Sequence, residues 1–216
     1  MTRPRGLQPQ AWFVTRIGRP LLRLSAKWRI FHVSVYGRRH IPTRGAAIIA
    51  CNHQSFADPV VVWGSVSRNL VAVAMKELWR TPLVLLMWLL GHIPIDRGNR
   101  TSGAKTRQRM TRVVRAGGLL LIFPEGKCSR DGKRLPLKPG ATDIAWETGV
   151  PVIPAGIAGT NAVWPLGRRR LNRDEHVVLV YGEPLSPNAF HSANEMKDAL
   201  AERIDQLMAE AQRRRN

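Results

Sequence analysis

Residues 46–59 read AAIIACNHQSFADP: six small or apolar residues, a short polar loop, and the Asp58-Pro59 pair, all within one short stretch. An apolar run this short, closed by polar residues and then by a helix-start signal, reads as a buried strand. Proline suits the first helical position because its missing N–H has no intrahelical partner there, so Asp58 is predicted as the N-cap of the helix that follows.

The same alternation continues downstream. LVAVAM (70–75), HIPID (92–96), LLLIF (119–123), VPVIPAGI (150–157) and HVVLVYG (176–182) read as further strands. Helical patterns fall between or after them, at 59–65, 77–89, 103–115, 141–148 and 194–213. Strands alternating with helices of this length predict an α/β fold: a single domain over 45–216 with a largely parallel mixed sheet flanked by helices. Function is then expected at the strand ends.

Residues 1–44 have a different character. Phe13, Ile17, Leu21, Leu24, Trp28 and Phe31 recur every three or four positions, with Arg16, Arg19, Arg23 and Lys27 on neighbouring faces. This is the pattern of a basic amphipathic helix, interrupted at Pro20, which either lies on an anionic membrane surface or packs on the protein's own core. The charge supports an anionic partner. The chain carries 34 Lys and Arg against 15 Asp and Glu, a net charge of +19, and Asp58 is its first acidic residue. Such a balance fits a membrane surface or a nucleic acid.

The hydrophobic fraction of 44% excludes a disordered polyelectrolyte. Cys51 and Cys128 have neither metal-site spacing nor the density of a disulfide-stapled domain, which points to a reducing, cytosolic setting. No signal peptide and no apolar run long enough to span a membrane are read; the longest candidate lies near 81–94. Within it PLVLLMWLL (82–90) reads as a second hydrophobic contact, an acyl-chain wall or a core helix.

Three loops carry candidate chemistry. His53 leaves the first strand five positions before Asp58, and a tight loop can bring imidazole and carboxylate into hydrogen-bond contact, leaving the second ring nitrogen to take a proton. A loop histidine beside an ordinary helix cap gives the same local pattern. Ser55 lies too close in sequence to be placed as a companion nucleophile and no Gly-x-Ser-x-Gly elbow occurs, so direct attack by an acceptor hydroxyl fits better than a covalent intermediate. FPEGKCSRDGK (123–133) and HIPIDRGNR (92–100) each follow a strand and gather cations around glycine, an arrangement suited to a phosphate.

The ordered set His53-x-x-x-x-Asp58, GHIPIDR (91–97), FPEG (123–126) and VPVIP (150–154) resembles the four motifs of the glycerolipid acyltransferases, over about residues 45–160. The resemblance implies that His53 and Asp58 are the catalytic pair. It assigns Arg97, Glu125 and Gly126 to the acceptor phosphate, and Pro154 to acyl-donor binding or to shaping the site. Where the family's third motif reads FPEGTRS this chain has FPEGKCS, so Lys127 and Arg130 are the cations left to supply the missing arginine's charge.

The implied reaction moves a fatty acyl group from acyl-coenzyme A or acyl carrier protein to the hydroxyl of lysophosphatidic acid, with no metal or redox cofactor. The implied place is the cytoplasmic face of the cell membrane, peripheral or monotopic. Two alternatives stand beside it: the same chemistry on another lysophospholipid or a glycolipid, and a basic nucleic-acid-binding protein. No nucleic-acid motif is readable, and the first helix's basic residues flank an apolar stripe instead of alternating with exposed aromatics.

Overall fold

In the computed structural model, which describes residues 32–75, 92–95, 100–165, 172 and 174–216, the run at 47–51 is the middle strand of a seven-stranded sheet. The strands are β1 (His32–Tyr36), β2 (Ala47–Cys51), β3 (Leu70–Met75), β4 (Ile93–Ile95), β5 (Leu119–Ile122), β6 (Val152–Ala158) and β7 (His176–Tyr181). Their order is β1-β7-β6-β2-β5-β3-β4. Every neighbouring pair is parallel except β6 with β7. The expected α/β architecture with a largely parallel mixed sheet is therefore present.

The helices are α1 (Asp58–Ser65), α2 (Arg100–Arg115), α3 (Gly140–Thr148), α4 (Thr160–Val163) and α5 (Ala193–Arg215). Strand alternation sorts them into two layers. Ala47, Ile49 and Cys51 face a core completed by Val61 and Val62 of α1, while Ile48 and Ala50 face Met110 and Val114 of α2, Ile144 of α3, and Met196 and Leu200 of α5. With both faces covered, β2 is buried along its whole length and shows no polar alternation.

α5 turns Met196, Leu200, Ile204, Leu207 and Ala211 inward, one stripe at helical spacing. It rests on β6 so closely that a Cβ added at Gly156 would stand 2.3 Å from the carbonyl carbon of Leu207. Glycine lets backbone meet backbone at this crossing.

Two expectations are corrected. The lead-in contributes an edge strand, since His32–Tyr36 pairs in parallel register with β7. Its side chains are partly exposed or exposed, so an apolar-run reading had little to find. Asp58 is the first helical residue and not the N-cap, which is Ala57. Its carboxylate turns back into the preceding loop. The amphipathic stretch before residue 32, the helix expected at 77–89, the apolar run at 82–90 and Arg97 lie outside the described residues.

Candidate active site

β2, β5 and β6 are mutually parallel, so the loops that leave their carboxyl ends emerge at one edge of the sheet. The loop after β2 is fastened first by Asn52, whose side-chain amide donates to the Ile157 carbonyl at 3.0 Å and accepts from the Ile157 N–H at 2.7 Å. His53 follows. Its Nδ1 lies 2.8 Å from Asp58 Oδ2, with the carboxylate fully buried and 9% of the histidine side chain exposed.

The same oxygen accepts the backbone N–H groups of Gln54 at 2.6 Å and Ser55 at 2.8 Å. Asp58 thus folds the loop and holds the imidazole with one atom, while Oδ1 is buried with no hydrogen-bond partner among the described residues. Contact with an anion on Nδ1 favours the tautomer with its proton there, which leaves Nε2 as a proton acceptor. The ring also stacks on Phe123, with centroids 4.2 Å apart and planes inclined by 21°.

Phe123 opens the second loop, where Gly126 has φ +72°, a left-handed conformation that suits glycine, and closes a turn through its N–H to the Phe123 carbonyl. The Lys138 side chain passes directly over that glycine, and a Cβ there would stand 2.8 Å from its Nζ. Glu125 is buried beneath the turn. Its Oε1 accepts the His53 N–H and its Oε2 the Leu135 N–H, each at 2.8 Å. Burial raises its carboxyl above the usual range, opposed by those two amides and by His53 and Arg134.

With both oxygens engaged by backbone, Glu125 is placed to brace the loops, a different role from the phosphate contact that the resemblance implies for it. The clamp is completed when the Ser129 N–H donates to the His53 carbonyl at 2.7 Å. Arg134, a cation the motifs do not contain, is tied to Asp205 of α5 by two hydrogen bonds at 2.6 and 2.9 Å, which fixes the far end of this loop.

Lys127 and Arg130 are exposed and make no ion pair among the described residues, so both charges are open to an anionic ligand. Between them stands Cys128, whose Sγ lies 3.1 Å from His53 Nε2. The arginine position of the third motif is therefore occupied by a thiol touching the ring nitrogen that Asp58 leaves available. Pro154 sits in β6, opposite Ala50 of β2, and its carbonyl accepts the Gly182 N–H. Among the described residues no three His, Cys, Asp or Glu side chains gather as a metal-binding group.

A family model described as Acyltransferase matches residues 32–158, more than half of the chain. The 1-acyl-sn-glycerol-3-phosphate acyltransferase of Haemophilus influenzae is 36% identical over 152 residues, covering 68% of this chain and 61% of that protein. A protein of the same name from Chlamydomonas reinhardtii is 30% identical over 176 residues, covering 81% of this chain and 52% of that one. The chain spans about half the length of the first curated relatives it matches. The crystal structure of the 1-acyl-sn-glycerophosphate (LPA) acyltransferase, PlsC, from Thermotoga maritima has the same fold, with a TM-score of 0.80 and 29% identity, covering 92% of this chain and 79% of that one. Family model and fold agree with the resemblance carried by the four motifs, and the chain belongs to the acyltransferase family.

Proposed function

We propose that this protein transfers a fatty acyl group from an acyl thioester to the hydroxyl of a 1-acyl-sn-glycerol 3-phosphate, giving phosphatidic acid in phospholipid synthesis. The observation that carries the proposal is the 2.8 Å contact between His53 Nδ1 and Asp58 Oδ2, which leaves Nε2 directed at the loop that bears Lys127 and Arg130. A base and a cation pair at one strand edge suit an acceptor with a hydroxyl at one end and a phosphate at the other. The names of the relatives favour the same acceptor.

In the reaction His53 Nε2 takes the hydroxyl proton as the oxygen attacks the activated acyl carbonyl, a contribution of about 10² to 10⁴ for a general base. Asp58 stabilises the imidazolium that forms. Lys127, Arg130 and, beyond the described residues, Arg97 hold the phosphate, so that the attack is effectively intramolecular. The departing thiolate recovers the proton from the imidazolium. Acyl-coenzyme A and acyl carrier protein both supply the required thioester.

The acceptor and product are anionic lipids, which gives the basic amphipathic stretch before residue 32 a purpose, that of holding the enzyme on the cytoplasmic membrane surface. No described helix is long and apolar enough to cross a membrane. The nucleic-acid reading rests on net charge alone, and the family assignment favours the enzyme.

A second acceptor class is favoured by one observation, the thiol of Cys128 in place of the third-motif arginine, since an acceptor without a phosphate has no need of that cation. Purified full-length protein supplied with palmitoyl-coenzyme A and a panel of lysophosphatidic acid, other lysophospholipids and glycolipids separates the two. Transfer to lysophosphatidic acid is the expected result, and transfer only to phosphate-free acceptors overturns the assignment.

A further inference from the structure

Resting on the acyltransferase reading above, we infer that Lys138 binds the acceptor's phosphate, and that Gly126 of the FPEG turn serves that phosphate by making room for the lysine side chain. Lys138 lies outside the four motifs, but the fold returns it to the third. Its N–H donates to the Pro124 carbonyl at 2.8 Å, which fixes residue 138 to the second residue of FPEG.

From that anchor the side chain runs along the bare face of Gly126. A Cβ built on the glycine would stand 2.8 Å from Lys138 Nζ, 3.0 Å from Cε and 3.2 Å from Cδ. The last three atoms of the lysine therefore follow the turn instead of extending away from it. A stem laid along backbone has less freedom left to lose when the ammonium takes a ligand.

The ammonium is free to take one. Lys138 is exposed and makes no ion pair among the described residues. Arg134 of the same loop is tied to Asp205, and the Lys133 N–H is bound to the Asp131 carboxylate, which keeps an anion beside that residue. The turn under the Lys138 ammonium continues through Lys127 to Cys128, whose Sγ lies 3.1 Å from His53 Nε2. The cation and the base thus stand on one short stretch of loop, as an acceptor bearing both a phosphate and a reacting hydroxyl requires.

Gly126 has no side chain to offer a phosphate, and its N–H is spent on the Phe123 carbonyl. What it offers is space. A methyl group there meets the far end of a flexible side chain, so the ammonium is the part that gives way. Gly126 is on this account a positioning residue that acts through Lys138.

The test measures initial rates of full-length protein with palmitoyl-coenzyme A as donor and 1-acyl-sn-glycerol 3-phosphate as acceptor. Lys138→Met keeps the stem and removes the charge. It is expected to raise the acceptor KM roughly tenfold, the loss of one charge-assisted hydrogen bond, with the donor KM and the melting temperature unchanged. Lys138→Arg, which keeps the charge, recovers most of that loss. Gly126→Ala raises the acceptor KM in the wild-type background and raises it no further in the Lys138→Met background, because the two residues act as one.

An acceptor KM unmoved by Lys138→Met overturns the inference, as does a rise in donor KM instead, which places the ammonium at the coenzyme's phosphates. An arginine variant as impaired as the methionine one also overturns it. A full additional rise from Gly126→Ala in the Lys138→Met background removes the positioning role of the glycine. All of these leave the acyltransferase reading intact. Wild-type protein that transfers only to phosphate-free acceptors sinks the phosphate acceptor itself, and this inference falls with it.

Discussion

Glu125 Oε1 accepts the backbone N–H of His53 at 2.8 Å, so the loop after β5 holds the loop after β2 in place. The carboxylate of the FPEG motif therefore acts on the imidazole through the backbone that carries it. Its second oxygen secures Leu135, and Ser129 returns a hydrogen bond to the His53 carbonyl. His53 is thus held by its main chain on both sides as well as by Asp58.

Glu125→Gln tests this brace. An amide side chain has one acceptor and one donor end, so either the buried His53 N–H or the part-buried Leu135 N–H is left facing a donor, at a cost of about 1–3 kcal/mol in stability. The expected outcome is a lower melting temperature and a fall in kcat, with the KM for acceptor little changed, because no substrate contact is lost. A selective rise in acceptor KM contradicts the bracing role. The pH dependence has a defined sign. Burial raises the folded carboxyl, so its contribution to stability is fully present below the unfolded value and is lost as pH rises through the folded one. Urea melts across the acid range are expected to show that slope in the wild type and not in the glutamine variant.

Lys127 and Arg130 are exposed, and neither makes an ion pair among the described residues, so their removal leaves the fold unchanged. If each gives the acceptor phosphate a charge-assisted hydrogen bond, Lys127→Ala and Arg130→Ala each raise the acceptor KM roughly tenfold and leave the donor KM alone. Initial rates over an acceptor series check this. Equal effects on both substrates place the two cations at the donor instead.

Gly156 marks where α5 meets β6. In Gly156→Ala the new methyl meets the backbone of Leu207 and Met208, and overpacking of this kind costs about 1–3 kcal/mol or more. Gly103, exposed within α2 and open on all sides, gives the opposite result: alanine there stabilises by roughly 0.5–1 kcal/mol. Thermal melts of the two variants are expected to move in opposite directions.

The sheet was largely legible because both of its faces are covered: strands such as Leu70–Met75 and Leu119–Ile122 are uninterrupted apolar runs. β1 escaped because an edge strand shows solvent its side chains, and HVSVY follows a helical pattern without a turn signal. In the site, the meeting of His53 and Asp58 could be read from five positions and a proline. The direction of the Asp58 carboxylate could not, since a cap and a backward-pointing carboxylate share one sequence signature.

Glu125 and Cys128 were beyond local reading for another reason. Their partners lie 72 and 75 positions away, and only the parallel pairing of β2 with β5 brings the two loops together. Asn52, which pins the β2 loop to Ile157 of β6, was missed on the same ground; an asparagine directly before a loop histidine was its only signal.

The most direct measurement is the rate of palmitoyl transfer from palmitoyl-coenzyme A to 1-acyl-sn-glycerol 3-phosphate by His53→Ala and wild-type protein, alongside their melting curves. A loss of at least about a hundredfold with the fold retained is the predicted result, because His53 Nε2 is the base in every proton transfer proposed here. Transfer at a near-normal rate by the alanine variant contradicts it.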